Sequence, residues 1–264
     1  MSTSVLIPSE IDCNNITYHA LRKVGQNTNF KACNITYTQD NGEEGDFYVQ
    51  FPKMRLAFNG VSHDNKEDPD KPKKFSISLS FSASNIDKED EEPNKIAIFQ
   101  QAIANLDEFN IEQGIENSVE WFGSSKPREV VEEKYGPILK TTANINKQTG
   151  LPWAPTMKIK LPMKKGNPDF QVFNKKKEIC SLVDSDGNLD LGCIEKGAEV
   201  TGIFRFRQIW HAGSRYGCSA ELRQLRVFPK HNDLAGYCIR EDSDCSDNDE
   251  NEDDEEEDFT DEEP

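Results

Sequence analysis

The sequence predicts a mainly β fold with an inserted helical layer and a disordered acidic tail. Three observations carry that prediction. Residues Lys73–Ser82 alternate strictly, with Phe75, Ile77, Leu79 and Phe81 on one side and serines on the other, as a half-buried strand must. From residue 94 to 135 the apolar spacing changes to that of a helix. The last 24 residues, Glu241–Pro264, hold 16 Asp or Glu and no Lys or Arg, too little apolar surface to offset the entropy of ordering.

In chain order, Ile16–Ala20 and Asn29–Thr38 read as short strands, and Asn41-Gly42 as a turn. Residues 46–61 give a long strand in which Phe47, Val49 and Phe51 share a face. Pro52 predicts a break or an edge there, because proline has no N–H for a ladder. Ser62–Pro72 is a charged loop. Behind the Asp87–Pro93 loop, Ile96, Phe99, Ile103 and Leu106 recur at helical spacing, and helical propensity continues to Tyr135 before Gly136-Pro137. Met157–Pro162, Asp169–Asn174 and Glu178–Val183 are short strands, with a turn at Asp184–Asn188. Glu199–His211 and Tyr216–Phe228 form a long hairpin about Gly213-Ser-Arg. The domain reading is a body over residues 1–240, its helical insertion near 94–135, and a tail over 241–264. The 15 Phe residues predict an aromatic core.

Charge divides unevenly. The chain has 31 basic and 48 acidic residues, but outside the tail 31 basic face 32 acidic. Within residues 151–240 there are 15 Lys or Arg against 9 Asp or Glu. Lys158, Lys160, Lys164, Lys165, Lys175, Lys176 and Lys177 lie on or beside the first two strands of that half. Arg205, Arg207, Arg215, Arg223 and Arg226 lie on or beside the final hairpin. Alternation in Glu199–His211 groups Val200, Phe204, Phe206 and Trp210 on one face, and Ile203, Arg205, Arg207 and Ile209 on the other. Cations beside aromatics such as Trp210 and Tyr216 suit a single nucleic-acid strand, since charges track phosphates and rings stack on bases. A surface lysine on a strand is equally a solvated face, and Trp210 and Tyr216 equally core residues.

A 24-residue coil spans ~27 Å, against a radius of gyration of ~18 Å for the body. The tail therefore reaches most of the body at an effective concentration of order millimolar. This predicts competition for a cationic groove.

Seven cysteines without a C-x-x-C pair fit free thiols in a reducing compartment, cytoplasm or nucleus. No apolar run is long enough for a membrane span. Asp184–Glu195 mimics a calcium loop, but Leu189 replaces the required glycine. His211, Cys218, His231 and Cys238 have no zinc-finger spacing. No nucleotide-loop or hydrolase motif occurs, so neither a cofactor, nor a metal, nor an enzymatic activity is expected.

From Gly150 onward the order of features resembles the phage single-stranded-DNA-binding protein family with an acidic C-terminal tail, and its relatives in large eukaryotic DNA viruses. The features are a basic strand pair, Asp184-Ser-Asp-Gly, Lys196-Gly-Ala-Glu-Val entering a long strand, Trp210, Gly217-Cys-Ser-Ala-Glu-Leu, and an acidic tail bearing Phe259. The resemblance implies an OB-fold-like Greek-key barrel that coats single-stranded DNA in viral replication, recombination or repair. Carried over by position, Lys158, Lys160, Arg205, Arg207 and Trp210 would line the groove. Glu257, Asp258 and Phe259 would regulate it or dock a DNA polymerase, helicase or primase. In the phage proteins the aromatic ends the chain, whereas here Thr-Asp-Glu-Glu-Pro follows Phe259. The location implied is the cytoplasm or nucleus of an infected cell, and a homodimer is compatible with it. The rival reading is an acidic-tailed histone chaperone or protein-interaction module.

Overall fold

The computed structural model describes residues 4–25, 29–64, 73–82, 93–147 and 149–229. The chain divides into one unit, Met1–Lys230, and a segment His231–Pro264. The tail, with Glu257, Asp258 and Phe259, lies outside the described residues, as does its expected disorder.

The strands are β1 (Ile16–Tyr18), β2 (Arg22–Lys23), β3 (Phe30–Thr38), β4 (Glu44–Gly45), β5 (Phe47–Asp64) and β6 (Lys74–Ser80). Helices α1 (Pro93–Glu116), α2 (Ser118–Phe122) and α3 (Arg128–Lys134) follow. Then come β7 (Tyr135–Gly136), β8 (Leu139–Lys140), β9 (Thr156–Leu161), β10 (Met163–Lys164), β11 (Asn167–Pro168), β12 (Gln171–Phe173), β13 (Glu199–Ala212) and β14 (Arg215–Phe228). The fold is mainly β with an inserted helical layer, as the change of period predicts.

Five strands close a ring. β5 pairs with β6, β6 with β9, β9 with β14, β14 with β13, and β13 returns to β5. All contacts are antiparallel except β9–β14. Numbered by first appearance, the order is 1-2-3-5-4, a five-stranded Greek-key barrel of OB type. One strand serves two neighbours because β5 is 18 residues long. Its first part pairs with β13 and its second with β6. Pro52 lies at a register shift within the β5–β13 ladder, between Phe51, which pairs with Gly202, and Met54, which pairs with Val200. The predicted break is thus a bulge inside a continuous strand, which leaves the missing N–H unused.

Phe47, Phe51, Phe204 and Phe206 fill the interior without exposure. Helix α1 caps it with Ile96, Phe99, Ile103 and Leu106, all buried. Phe99 meets the rings of Phe51, Phe81 and Phe204 at 6.5, 5.3 and 6.2 Å. Each such phenylalanine contributes about 1.5–3 kcal/mol by burial. Gly202 is required where strands cross closely, since a Cβ there would lie 2.3 Å from the Gln224 carbonyl oxygen.

Asp107 of α1 ties the helical layer to the barrel. It accepts hydrogen bonds from the Tyr135 hydroxyl at 2.6 Å, the Ile138 N–H at 2.8 Å and the Leu139 N–H at 2.9 Å. The β7–β8 segment is thereby fixed beside β14.

Three expectations need correction. Glu178–Val183 is no strand; only isolated bridges at Ile179 and Val183 form. Asp184 instead closes its own turn, accepting from the N–H groups of Asp186 and Asn188 at 2.9 and 2.8 Å. Tyr216, predicted as a stacking residue, has no exposure. It packs among Trp121, Phe122, Tyr135 and His211 at 5.1–5.9 Å, because α2 and α3 cover that end of β14. Trp210 is on the opposite face from the one assigned, for the reason given below.

His211 belongs to this aromatic cluster, and its Nε2 has no hydrogen-bond partner among the described residues. Burial, and secondarily the Lys31 charge, push its pKa down to about 4. A folded-state value below the ordinary 6.5 gives stability that is present above pH 6.5 and is lost as pH falls through 4. The loss should reach roughly 3 kcal/mol. Denaturant melts from pH 7 to 4 should show this slope in the wild type and a flatter profile in His211→Phe.

Candidate nucleic-acid interface

The side of the barrel turned away from its core is organised as rungs across strands. On one rung Lys140, Thr156, Ser80 and Arg55 stand in register on β8, β9, β6 and β5. On the next, Lys158 faces Ser78. On the third, Lys160 stands between Ser76 on β6 and Glu221 on β14. Lys158 and Lys160 are two residues apart, so their rungs are about 6.6 Å apart. Neither β6 nor β9 contains Asp or Glu. The β6–β9 face is therefore a ladder of ammonium groups set among hydroxyls. Ser76 is covered; its hydroxyl sits 3.2 Å from that of Ser62.

Beyond Lys160 the electrostatics change. Glu221, nearly buried, accepts from Arg207 at 2.9 Å and Arg205 at 3.3 Å, and Arg205 also donates to Asp46 at 2.9 Å. Burial works against the Arg205 charge, but the bonds to Asp46 and Glu221 outweigh it and hold the pKa above its usual value. Desolvation lowers the Lys160 pKa, opposed by Glu221, although the side chain reaches solvent. Its ammonium lies 3.4 Å from the Ser219 hydroxyl. Arg223 pairs with Asp169 at 3.0 Å. Arg226 donates to the Lys175 carbonyl at 2.6 Å and lies 4.8 Å from the Phe228 ring centre. Four of the five predicted arginines are thus already engaged within the fold. Arg215, at the exposed β13–β14 turn, is the other.

Trp210 owes its position to a bulge. Phe206 pairs with Ala220 and Gln208 with Ser219, leaving Arg207 as an extra residue on β13. The extra residue reverses the alternation, so Ile209 and His211 enter the core and Trp210 joins the Arg205 face. The indole lies across Gly217 and Gly136, paired neighbours on β14 and β7. A Cβ on Gly217 would come 2.9 Å from the Trp210 ring and 2.8 Å from the Gly136 carbonyl oxygen. Two glycines thus make the shelf on which this ring lies.

The remaining predicted lysines are dispersed. Lys164 and Lys165 occupy the exposed tip of the β10–β11 hairpin, where Lys165 (φ 52°) and Gly166 (φ 85°) make the turn. Lys175, Lys176 and Lys177 form a separate exposed loop held by Asn174, whose side-chain oxygen accepts from the N–H groups of Lys176 and Glu178 at 2.8 and 3.0 Å.

Three residues were missed by sequence reasoning. Lys140 stands on the first rung. Trp153, 55% exposed, sits on the loop leading into β9; its setting between Pro152 and Pro155 was the available signal. Tyr48, paired with Arg205 across β5–β13, donates to Asp46 at 2.9 Å.

No protein-family model and no curated protein matches the chain. Among solved structures it is similar to the single-stranded DNA-binding protein from bacteriophage Enc34, at 10% identity over 84% of this chain and 97% of that one, with a TM-score of 0.40. It is likewise similar to that protein in complex with ssDNA, at 13% identity over 80% of this chain and 97% of that one, with a TM-score of 0.40.

Proposed function

We propose that this protein binds single-stranded DNA along the β6–β9 face, without strong sequence preference, in viral DNA replication, recombination or repair. The lysine ladder carries the reading. Ammonium groups recur about every 6.6 Å beside hydroxyls, with no carboxylate on either strand. That arrangement suits successive phosphates and reads no base. It is also the face, the second and third strands of the ring, that OB barrels use for oligonucleotides. Glu221 marks the boundary of the path, since its carboxylate with Arg205 and Arg207 forms a closed ion cluster. Trp153 and Trp210 supply aromatic surface at the Lys140 end and on the neighbouring hairpin.

The acidic segment Glu241–Pro264 is the intramolecular competitor in this reading, with Glu257, Asp258 and Phe259 docking a polymerase, helicase or primase. The role is one of binding rather than catalysis.

The experiment is a salt titration of oligo-dT binding by wild type and Lys158→Ala/Lys160→Ala. At ~0.7 counterions released per phosphate contact, losing two contacts should lower the log–log salt slope by about 1.4. At low salt the affinity should fall about tenfold. An unchanged slope would remove these lysines from the interface.

A further inference from the structure

We infer that Phe58, on an arch of β5 beside the lysine ladder, is a platform on which a base of the bound single strand stacks. The inference rests on the single-stranded-DNA reading and deepens it, by naming the side chain that meets a base where Lys158 meets a phosphate.

The arch follows from the register between β5 and β6. Leu56 pairs with Leu79 and Val61 with Ile77, so residues 57–60 face Ser78 alone. The surplus chain cannot lie in the ladder and loops out of it. Gly60 anchors the far end of the arch. It is buried with φ 77°, and a Cβ there would lie 2.8 Å from the Ile194 carbonyl oxygen. Phe58 has φ 59°, left-handed backbone that a bulky residue enters at a cost in stability. Its ring is 72% exposed, and no large apolar side chain among the described residues is more so. Leu56 and Leu79 fill the interior beside the arch, which leaves the ring on the solvent side. Burial therefore does not repay the strain, and glycine or asparagine would suit this backbone better. A strained residue that gains nothing from the core points to a contact outside the chain.

Position says what that contact is. Ser78, opposite the arch, pairs on its other side with Lys158. Phe58 and Lys158 thus belong to one rung, two strand spacings or roughly 10 Å apart. A nucleotide whose phosphate meets the Lys158 ammonium can direct its base across β6 toward the ring. Phe58 lies on the side of the ladder away from Glu221, so the ion cluster that bounds the path does not intervene. A phenyl ring has no hydrogen-bonding group. It takes any base by its face and adds affinity without ranking sequence.

The test is fluorescence anisotropy at low salt with full-length protein and two labelled 15-mers, dT and the same backbone made abasic. Phe58→Gly removes the ring and relieves the backbone. Its affinity for dT should fall about fivefold or more, while its affinity for the abasic strand should change less than about twofold. Its thermal midpoint should not fall, because glycine adopts this φ freely. Phe58→Trp, which keeps a ring, should bind dT within about twofold of wild type. If Phe58→Gly is unstable, Phe58→Asn, which tolerates the same backbone, serves the same purpose. No loss on dT, or equal losses on both strands, would overturn the stacking role while leaving single-strand binding intact. Failure of the wild type to bind dT at low salt would overturn both.

Discussion

Deleting Glu241–Pro264 should tighten oligo-dT binding about tenfold at low salt. The deleted segment carries 16 acidic residues and no basic one. A tethered chain of this length samples its own body at about millimolar concentration. If it engages the lysine face with the ~10⁻⁴ M affinity of nonspecific polyanion contacts, the tail occupies that face about ten times out of eleven. Removing it releases that competition. The gain should vanish toward 1 M salt, where the screening length falls to about 3 Å. Fluorescence titrations of the full chain and of a chain ending at Arg240, at two salt concentrations, measure both effects. An unchanged affinity at low salt would leave the tail without a role at this face.

Asp107→Ala should destabilise the body by about 4 kcal/mol, because it leaves two backbone N–H groups and the Tyr135 hydroxyl without their acceptor. For a body of this size that lowers the thermal midpoint by roughly 10 °C. Asp107→Asn keeps one acceptor oxygen and should lose about half as much. Burial raises the Asp107 pKa against the lowering influence of its three hydrogen bonds. Its contribution is therefore greatest below the ordinary aspartate range and declines as pH rises through the elevated value. Calorimetric melts of the three proteins check the ranking. The consequence reaches the interface, because the Asp107 bonds hold β7, and Gly136 of β7 forms part of the Trp210 shelf.

Where a strand or helix keeps its period without a bulge of its own, the sequence was readable. The alternation of Lys73–Ser82 names the core residues Ile77, Leu79 and Phe81 and the half-exposed Ser78 and Ser80, whereas Ser76 on the same face is covered. The spacing of Ile96, Phe99, Ile103 and Leu106 names the buried face of α1. The sequence was not readable where a partner decides. The Arg207 and Arg223 bulges each arise from the register between β13 and β14, and a local pattern contains no sign of them. Alternation alone therefore sends Trp210 into the core. Tyr216 was ambiguous for a similar reason, since it is α2, almost one hundred positions earlier, that buries it. The ion pairs of the arginines were hidden because their partners are remote: Asp46 lies 159 positions from Arg205, and Asp169 54 from Arg223. The lysines of β9 were placed on the outward face by alternation alone, since β9 keeps its period from Thr156 to Leu161.

Whether the barrel itself, through its lysine ladder, binds single-stranded DNA is read by an electrophoretic titration of the protein ending at Arg240 against single- and double-stranded 30-mers of one sequence. The single strand should be retained at protein concentrations about tenfold or more below those needed for the duplex, whose paired bases cannot meet aromatic side chains. No retention of the single strand at low salt, or equal retention of both, would contradict it.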